Sequence, residues 1–80
     1  MDVKEMGNRI HMRRRALGLT QKQLGALCHI PYQVINRVEN GHQDLYASRL
    51  ALIAQHLGVS ADYLMGLLDT DAYDHYSSLR

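Results

Sequence analysis

The chain has 80 residues, of which 46% are hydrophobic and 21% charged, a balance typical of a soluble globular domain and not of a disordered chain. No run of 18 apolar residues and no apolar segment behind a basic N-terminus is present, so we expect neither a membrane span nor a secretory signal, and the cytoplasm is favoured. The formal charge of +1 is the sum of +4 over residues 1–41 and −3 over residues 42–80. This uneven distribution of charge fits an anion-binding surface, but it also fits ordinary solvated faces.

Apolar residues recur three and four apart along most of the chain, which predicts an all-helical fold. We expect the first helix over residues 4–17, with Gly18 as its C-terminal stop. The second helix should begin at Thr20, which forms a capping box with Gln23, and end near residue 28. The buried faces of these two helices are predicted to hold Met6, Ile10, Leu17, Leu24, Leu27 and Cys28.

Three further helices follow in the predicted order. Pro31 sets φ for a third helix over residues 31–40, which Gly41 ends. A fourth helix is closed by Gly58, and Ser60 caps a short fifth one. Their apolar residues are Val34, Ile35 and Val38 in the third, Leu50, Ile53, Ala54 and Leu57 in the fourth, and Tyr63, Leu64, Leu67 and Leu68 in the fifth.

The chain is predicted to hold one domain, residues 1–68, followed by an acidic C-terminal tail, residues 69–80. The tail is either a frayed end or a docked turn, and a dimer contact is one role considered for it. Such a short chain builds a single core, since a domain of this size buries only about 60% of its unfolded surface.

Two short helices joined by a turn, next to a basic first helix, have the layout of a helix-turn-helix. Residues 17–41 read LGLTQKQLGALCHIPYQVINRVENG. This segment resembles the helix-turn-helix core of the Cro- and cI-type phage repressors, an XRE-like family, and the resemblance extends over residues 6–66. It implies a compact five-helix, lambda-repressor-like DNA-binding domain. The matching positions are Gly18, Thr20, Gln21, Leu24, Ile30, Ile35, Glu39, Asn40, Gly41, Leu57, Gly58 and Leu64.

The outward face of the third helix carries four residues that the resemblance places in the major groove of DNA. Gln33 suits adenine and Arg37 suits guanine O6 and N7, whereas Asn36 suits adenine or a phosphate and Tyr32 a thymine methyl group. The alternative is a face that is polar only for solubility.

Phosphate contacts are expected at Gln21, at Arg13 and at the loop that ends the third helix. The resemblance assigns one to Gln21, at the start of the second helix, where free backbone N–H groups also attract an anion, and another to Arg13. A second phosphate is expected at the backbone amides of Asn40 and Gly41 together with Gln43, because loops that end helices present unpaired amides.

Arg14 and Glu39 match a pair that in the resembling family forms a partly buried ion pair between the first and third helices. We therefore predict a structural role for both. The cations Arg9, Arg15 and Lys22 also lie near the proposed DNA face, and the sequence assigns them no role.

The chain departs from the family pattern at three places. Gly25 replaces the usual alanine where the two helices approach most closely, and it weakens the second helix by up to about 1 kcal/mol. His29 replaces the turn glycine and must therefore adopt a positive φ. Pro31 and Tyr32 replace smaller or more polar residues, which affects how deeply the third helix enters the groove.

The resemblance implies a sequence-specific regulator of transcription that binds double-stranded DNA, as a homodimeric repressor on a palindromic operator. The dimer surface is expected at Leu67, Leu68, Tyr73 and Tyr76, unless these residues fold back on their own domain. The alternatives are a helical protein-interaction module or a controller or antitoxin of a phage or restriction-modification system.

No catalytic, cofactor or metal site is predicted. The five histidines include no pair four residues apart and no neighbouring cysteine pair. Cys28 lies among apolar residues and is expected in the core, where free cysteine behaves as a small hydrophobe. The sequence also lacks a glycine-rich phosphate loop and a paired-carboxylate cleft.

Overall fold

A computed structural model describes residues 2–68, and these form five helices without a strand. The helices are α1 (Val3–Ala16), α2 (Gln21–Cys28), α3 (Tyr32–Glu39), α4 (Ala47–Leu57) and α5 (Ala61–Leu64). The all-helical, five-helix prediction is therefore confirmed. Within this described range, no helix combines the length and the apolar character needed to cross a bilayer.

Side-chain caps determine where several helices begin. The Thr20 hydroxyl accepts from the amide of Gln23, and the Gln23 side chain accepts from the amide of Thr20, so the predicted capping box is confirmed. Ser60 caps α5 in the same way, through its hydroxyl. The sequence analysis did not identify the N-cap of α1, which is Asp2; its carboxylate accepts hydrogen bonds from two backbone amides. At the other end of α4, Gly58 adopts the left-handed conformation that stops the helix.

The core lies between all five helices and is apolar. Two residues predicted to be buried are partly exposed, which corrects the sequence reading. Leu17 is 43% exposed because it is the C-cap of α1 and lies beyond the stripe formed by Met6 and Ile10. Leu27 is 44% exposed because α2 turns Leu24 and Cys28 inward instead. The largest fully buried side chains are Met6, Ile10, Leu24, Ile35, Ile53, Leu57, Leu64, Val38, Val59 and Cys28.

Two glycines allow close approach of the backbone. A methyl group at Gly7 in α1 would overlap the carbonyl oxygen of Val38 in α3. A methyl group at Gly25 in α2 would lie 2.5 Å from the carbonyl oxygen of Ile30. Glycine in place of the family's usual alanine therefore allows a tighter turn between α2 and α3. His29 has φ 56°, which confirms the left-handed conformation predicted for the turn.

Two arginines of α1 hold the later helices in place. Arg9 donates through Nη1 to the carbonyls of Tyr63 and Leu68, and its guanidinium lies 4.6 Å from the centre of the Tyr63 ring. Arg13 Nε donates to the carbonyl of Leu57, the last residue of α4, at 2.8 Å. This contact stabilises the C-terminus of α4, where a cation is favoured by the helix dipole.

Candidate functional site

The outward face of α3 carries the four predicted DNA-reading residues side by side. Tyr32, Gln33, Asn36 and Arg37 are exposed, whereas Val34, Ile35 and Val38 face the core. The helix rests on a packed apolar base, so these polar side chains are presented from a rigid support. Their contact with bases stays a prediction.

Behind this face, Glu39 is the centre of a buried polar cluster. Its side chain is 3% exposed and pairs with Arg14, whose Nε donates to Oε2 at 2.6 Å and whose Nη2 donates to Oε1 at 2.9 Å. Oε1 also accepts from His11 Nδ1 at 2.8 Å and from Gln21 Nε2 at 3.1 Å. Arg14 in turn donates through Nη1 to the carbonyl of Leu19. The ion pair expected between Arg14 and Glu39 is thus present, with two partners that the sequence reading missed.

The cluster keeps Glu39 ionised. Burial alone would raise the pKa of its carboxyl group, but the hydrogen bonds from Arg14, His11 and Gln21 together outweigh burial, and the pKa lies below its ordinary value. A charged group in this position stabilises the fold only while its partners remain in place.

Gln21 and Asn36 connect this cluster to the exposed face. Asn36 Nδ2 donates to Gln21 Oε1 at 3.3 Å. Asn40 Nδ2 donates to the Asn36 backbone carbonyl at 2.9 Å and to Asn36 Oδ1 at 3.4 Å. The phosphate contact expected of Gln21 stays a prediction. Its hydrogen bonds to Glu39 and Asn36 also give it a structural role inside the domain. No local sequence pattern signals these bonds, because they join different helices.

The loop after α3 differs from the prediction of unpaired amides. The amides of Asn40 and Gly41 donate to the carbonyls of Asn36 and Val38 in α3, because the hydrogen bonding of the helix continues through both residues. Gly41, with φ 76°, then turns the chain away from the helix axis. The expectation that these backbone groups are free to hold a phosphate is therefore wrong. Gln43 accepts from Arg37 Nε at 2.7 Å through its side-chain oxygen. Phosphate contacts by the side chains of Asn40 and Gln43 stay predictions.

A cation-rich depression lies beside the first turn of α3. Lys22 Nζ stands 5.1 Å from the centre of the Tyr32 ring, a cation–π distance. Arg15 also lines the depression. The structure therefore places two of the unassigned cations next to Tyr32. The full lining is Arg14, Arg15, Gly18, Leu19, Thr20, Gln21, Lys22 and Tyr32.

The residues predicted for a dimer surface lie in a later part of the sequence than the outward face of α3. Helix α5 ends at Leu64, so Leu67 and Leu68 follow it and are not part of it, which corrects the predicted length of the fifth helix. Leu67 is 70% exposed, and Leu68 is partly buried. Tyr73 and Tyr76 lie outside the described residues.

Among residues 2–68, no group of three or more His, Cys, Asp or Glu side chains is arranged to hold a metal ion. Cys28 is buried, and burial raises the pKa of its thiol. This favours the protonated, unreactive form that suits a packing role.

Known proteins resemble this chain over most of its length. A family model described as "Helix-turn-helix" matches residues 10–64. An uncharacterized HTH-type transcriptional regulator from Sinorhizobium medicae (strain WSM419) is 40% identical over 58 residues, which cover 72% of this chain and 42% of the relative. An uncharacterized transcriptional regulator in the ATPase CF(0) region of Rhodospirillum rubrum is 38% identical over 64 residues, covering 80% and 59%. The chain thus spans about half the length of these curated relatives.

Among solved structures, the restriction-modification controller protein C.AhdI from Aeromonas hydrophila superimposes with a TM-score of 0.75 at 25% sequence identity. The match covers 79% of this chain and 96% of that protein. The likeness therefore extends over nearly the whole of the controller protein.

Proposed function

This chain belongs to the helix-turn-helix family, and from that membership we propose that it is a sequence-specific regulator of transcription that binds double-stranded DNA through α3. The observation that carries the proposal is the exposed row of Tyr32, Gln33, Asn36 and Arg37 on a helix whose opposite face is locked into the core. An α-helix fits the major groove, and amide and guanidinium groups match base edges there.

We propose further that the protein acts as a homodimeric repressor. One domain of this size contacts too few base pairs for specificity, whereas a two-fold pair reads a palindromic operator with half-sites about one helical turn apart. The dimer would block access to the operator by binding alone, without a cofactor or a catalytic step, on DNA in the cytoplasm. The exposed Leu67 supports a contact between copies near the end of the domain.

Selection from a pool of random duplex DNA tests this proposal. We expect one palindromic sequence to be enriched. If each subunit neutralises about four phosphates, the logarithm of affinity should fall against the logarithm of salt concentration with a slope of about −7 for the dimer. A flat response to salt would contradict DNA binding and favour the alternative of a protein-interaction module. The absence of sequence preference would contradict sequence-specific binding.

A narrower role is favoured by the likeness to C.AhdI, a restriction-modification controller protein. The likeness covers 96% of that controller, and this breadth supports the narrower role. We propose a controller role as the second candidate. The selected sequence would then lie upstream of paired methyltransferase and endonuclease genes, and a site elsewhere would support another regulatory role.

A further inference from the structure

A chain of side-chain hydrogen bonds leads from the buried Glu39 carboxylate to the exposed face of α3. Gln21 Nε2 donates to Glu39 Oε1 at 3.1 Å. Gln21 Oε1 then accepts from Asn36 Nδ2 at 3.3 Å, and Asn36 Oδ1 accepts from Asn40 Nδ2 at 3.4 Å. Glu39 is 3% exposed, whereas Asn36 and Asn40 lie at the surface. The chain thus joins a group that water barely reaches to groups that face outward.

The direction of the hydrogen bonds is fixed at the buried end. An ionised carboxylate has no hydrogen to donate, so Gln21 must turn its NH2 group toward Glu39 and its oxygen toward Asn36. Asn36 must then offer its own NH2 group, which leaves its oxygen toward Asn40. Reversing one amide would place two oxygens or two NH2 groups against each other, and such an unmade hydrogen bond is unfavourable.

Both ends of this chain are held in place. Arg14 and His11 hold the carboxylate of Glu39 from the side of α1. At the far end, the NH2 group of Asn40 also donates to the backbone carbonyl of Asn36 at 2.9 Å. The orientation of the Asn36 amide is therefore determined before any ligand arrives.

We infer that Glu39 is a positioning residue for DNA readout, which sets the direction in which Asn36 presents its donor and its acceptor. This inference rests on the proposed function. Adenine offers an acceptor, N7, beside a donor, the N6 amino group, and an asparagine matches this pair in one orientation only. Each Asn36 polar atom retains hydrogen-bonding capacity beyond its internal bond, since an amide has two hydrogens and its oxygen two lone pairs. Glu39 thereby influences base choice without reaching the DNA.

The substitution Gln21→Met tests the inference, because it removes the middle link at similar side-chain length and leaves the pairing of Arg14 with Glu39. Selection from random duplex DNA with Asn36→Ala first identifies the base pair that Asn36 reads. In Gln21→Met we expect the preference at that base pair to fall by about fivefold or more. The preference at the base pair that Arg37 reads, identified with Arg37→Ala, should be retained. Loss of the phosphate contact of Gln21 would weaken binding to all DNA sequences alike. It can therefore be distinguished from a loss of preference at one base pair.

The matched control is His11→Phe, which removes another hydrogen bond to the same oxygen of Glu39 but leaves the amide chain intact. It should lower stability without changing any base preference. In the DNA-free protein, NMR should show the Asn36 side-chain hydrogens exchanging with water faster in Gln21→Met than in the wild type.

The outcomes separate the two proposals. Wild-type protein without any sequence preference would overturn the proposed function and this inference with it. Clear wild-type preference together with an unchanged Asn36 position in Gln21→Met would overturn only the role of Glu39. Unchanged exchange of the Asn36 hydrogens in Gln21→Met would do the same, because the amide would then be oriented by something else.

Discussion

Gly7 in α1 lies directly against the backbone carbonyl of Val38 in α3, with no room for a methyl group between them. The obstacle is backbone, which cannot move aside as a flexible side chain would. This contact fixes the distance between the first helix and the helix that carries the proposed DNA face.

We predict that Gly7→Ala destabilises the domain by about 1–3 kcal/mol or more through overpacking. This outcome opposes helix propensity, which by itself favours alanine over glycine by about 1 kcal/mol. Urea denaturation measures the difference. The control is Asn8→Ala, at an exposed position one residue later, which should leave stability unchanged or slightly raised. Equal stability of the wild type and Gly7→Ala would show that the helices separate without cost.

Acid should weaken the fold through Glu39. Its pKa is lower in the folded protein, so its contribution to stability is complete above the pKa of the unfolded carboxyl, about 4.3. The contribution is lost as the pH falls from there through the folded pKa. We expect the stability difference between the wild type and Glu39→Gln to be complete at neutral pH and to shrink as the pH falls below about 4.3. A difference independent of pH would contradict the assignment.

Arg13 is expected to stabilise α4 and, as a separate effect, to contact DNA. Removing its bond to the carbonyl of Leu57 in Arg13→Met should cost about 0.5–1.5 kcal/mol in urea denaturation. If Arg13 also contacts a phosphate, the salt slope of DNA binding should decrease in magnitude by about one per subunit. Arg13→Lys keeps the positive charge. Its salt slope should therefore stay close to that of the wild type, while its stability should fall. An unchanged slope in Arg13→Met would leave only the structural role.

Arg37 is expected to read a base. It bonds Gln43 through Nε, and the two terminal nitrogens of the guanidinium match guanine O6 and N7. Arg37→Ala should therefore reduce preference at one position of each half-site by about 1–3 kcal/mol, measured by competition between operator variants. Arg37→Lys should recover overall affinity more than preference, because lysine lacks the planar fork. Equal loss on every sequence would make Arg37 a backbone contact.

Leu67 tests the dimer surface. Its side chain is 70% exposed, so Leu67→Glu should leave the folded monomer stable while shifting sedimentation from dimer toward monomer and weakening operator binding. Met12→Glu is the matched control, since Met12 is an exposed apolar residue on α1 at 62% exposure. If both variants sediment as the wild type does, the copies meet elsewhere.

Local interactions explain what the sequence could predict. The capping box of Thr20 and Gln23 and the inward face of α3 depend on residues a few positions apart, whereas the left-handed turn at His29 is expected from the family resemblance. Patterns of that length are visible in a linear sequence. The order of the helices and the approximate ends of α1, α2 and α3 are predictable for the same reason, whereas α5 ends at Leu64, earlier than expected.

The side-chain contacts between helices could not be predicted in this way. The bond from Arg13 to Leu57 spans 44 positions, and Gln21 meets Glu39 across 18 positions. Nothing in the residue types alone indicates which polar groups meet after packing. The error at Asn40 and Gly41 is of another kind, because their amides bond the carbonyls of Asn36 and Val38 only four and three positions back; the helical hydrogen bonding extends further than the sequence analysis expects.

The arginines of α1 hydrogen-bond to residues that lie far ahead of them in the chain. Arg14 finds its partner 25 positions later, Arg13 finds its partner 44 positions later, and the bonds of Arg9 reach 54 and 59 positions ahead. The first helix leaves the ribosome early, but Arg9 can bond the carbonyls of Tyr63 and Leu68 only after those residues have emerged. Contacts this distant in sequence form late. The nascent chain should therefore remain sensitive to proteases until residue 68 clears the exit tunnel, and then close in a single step.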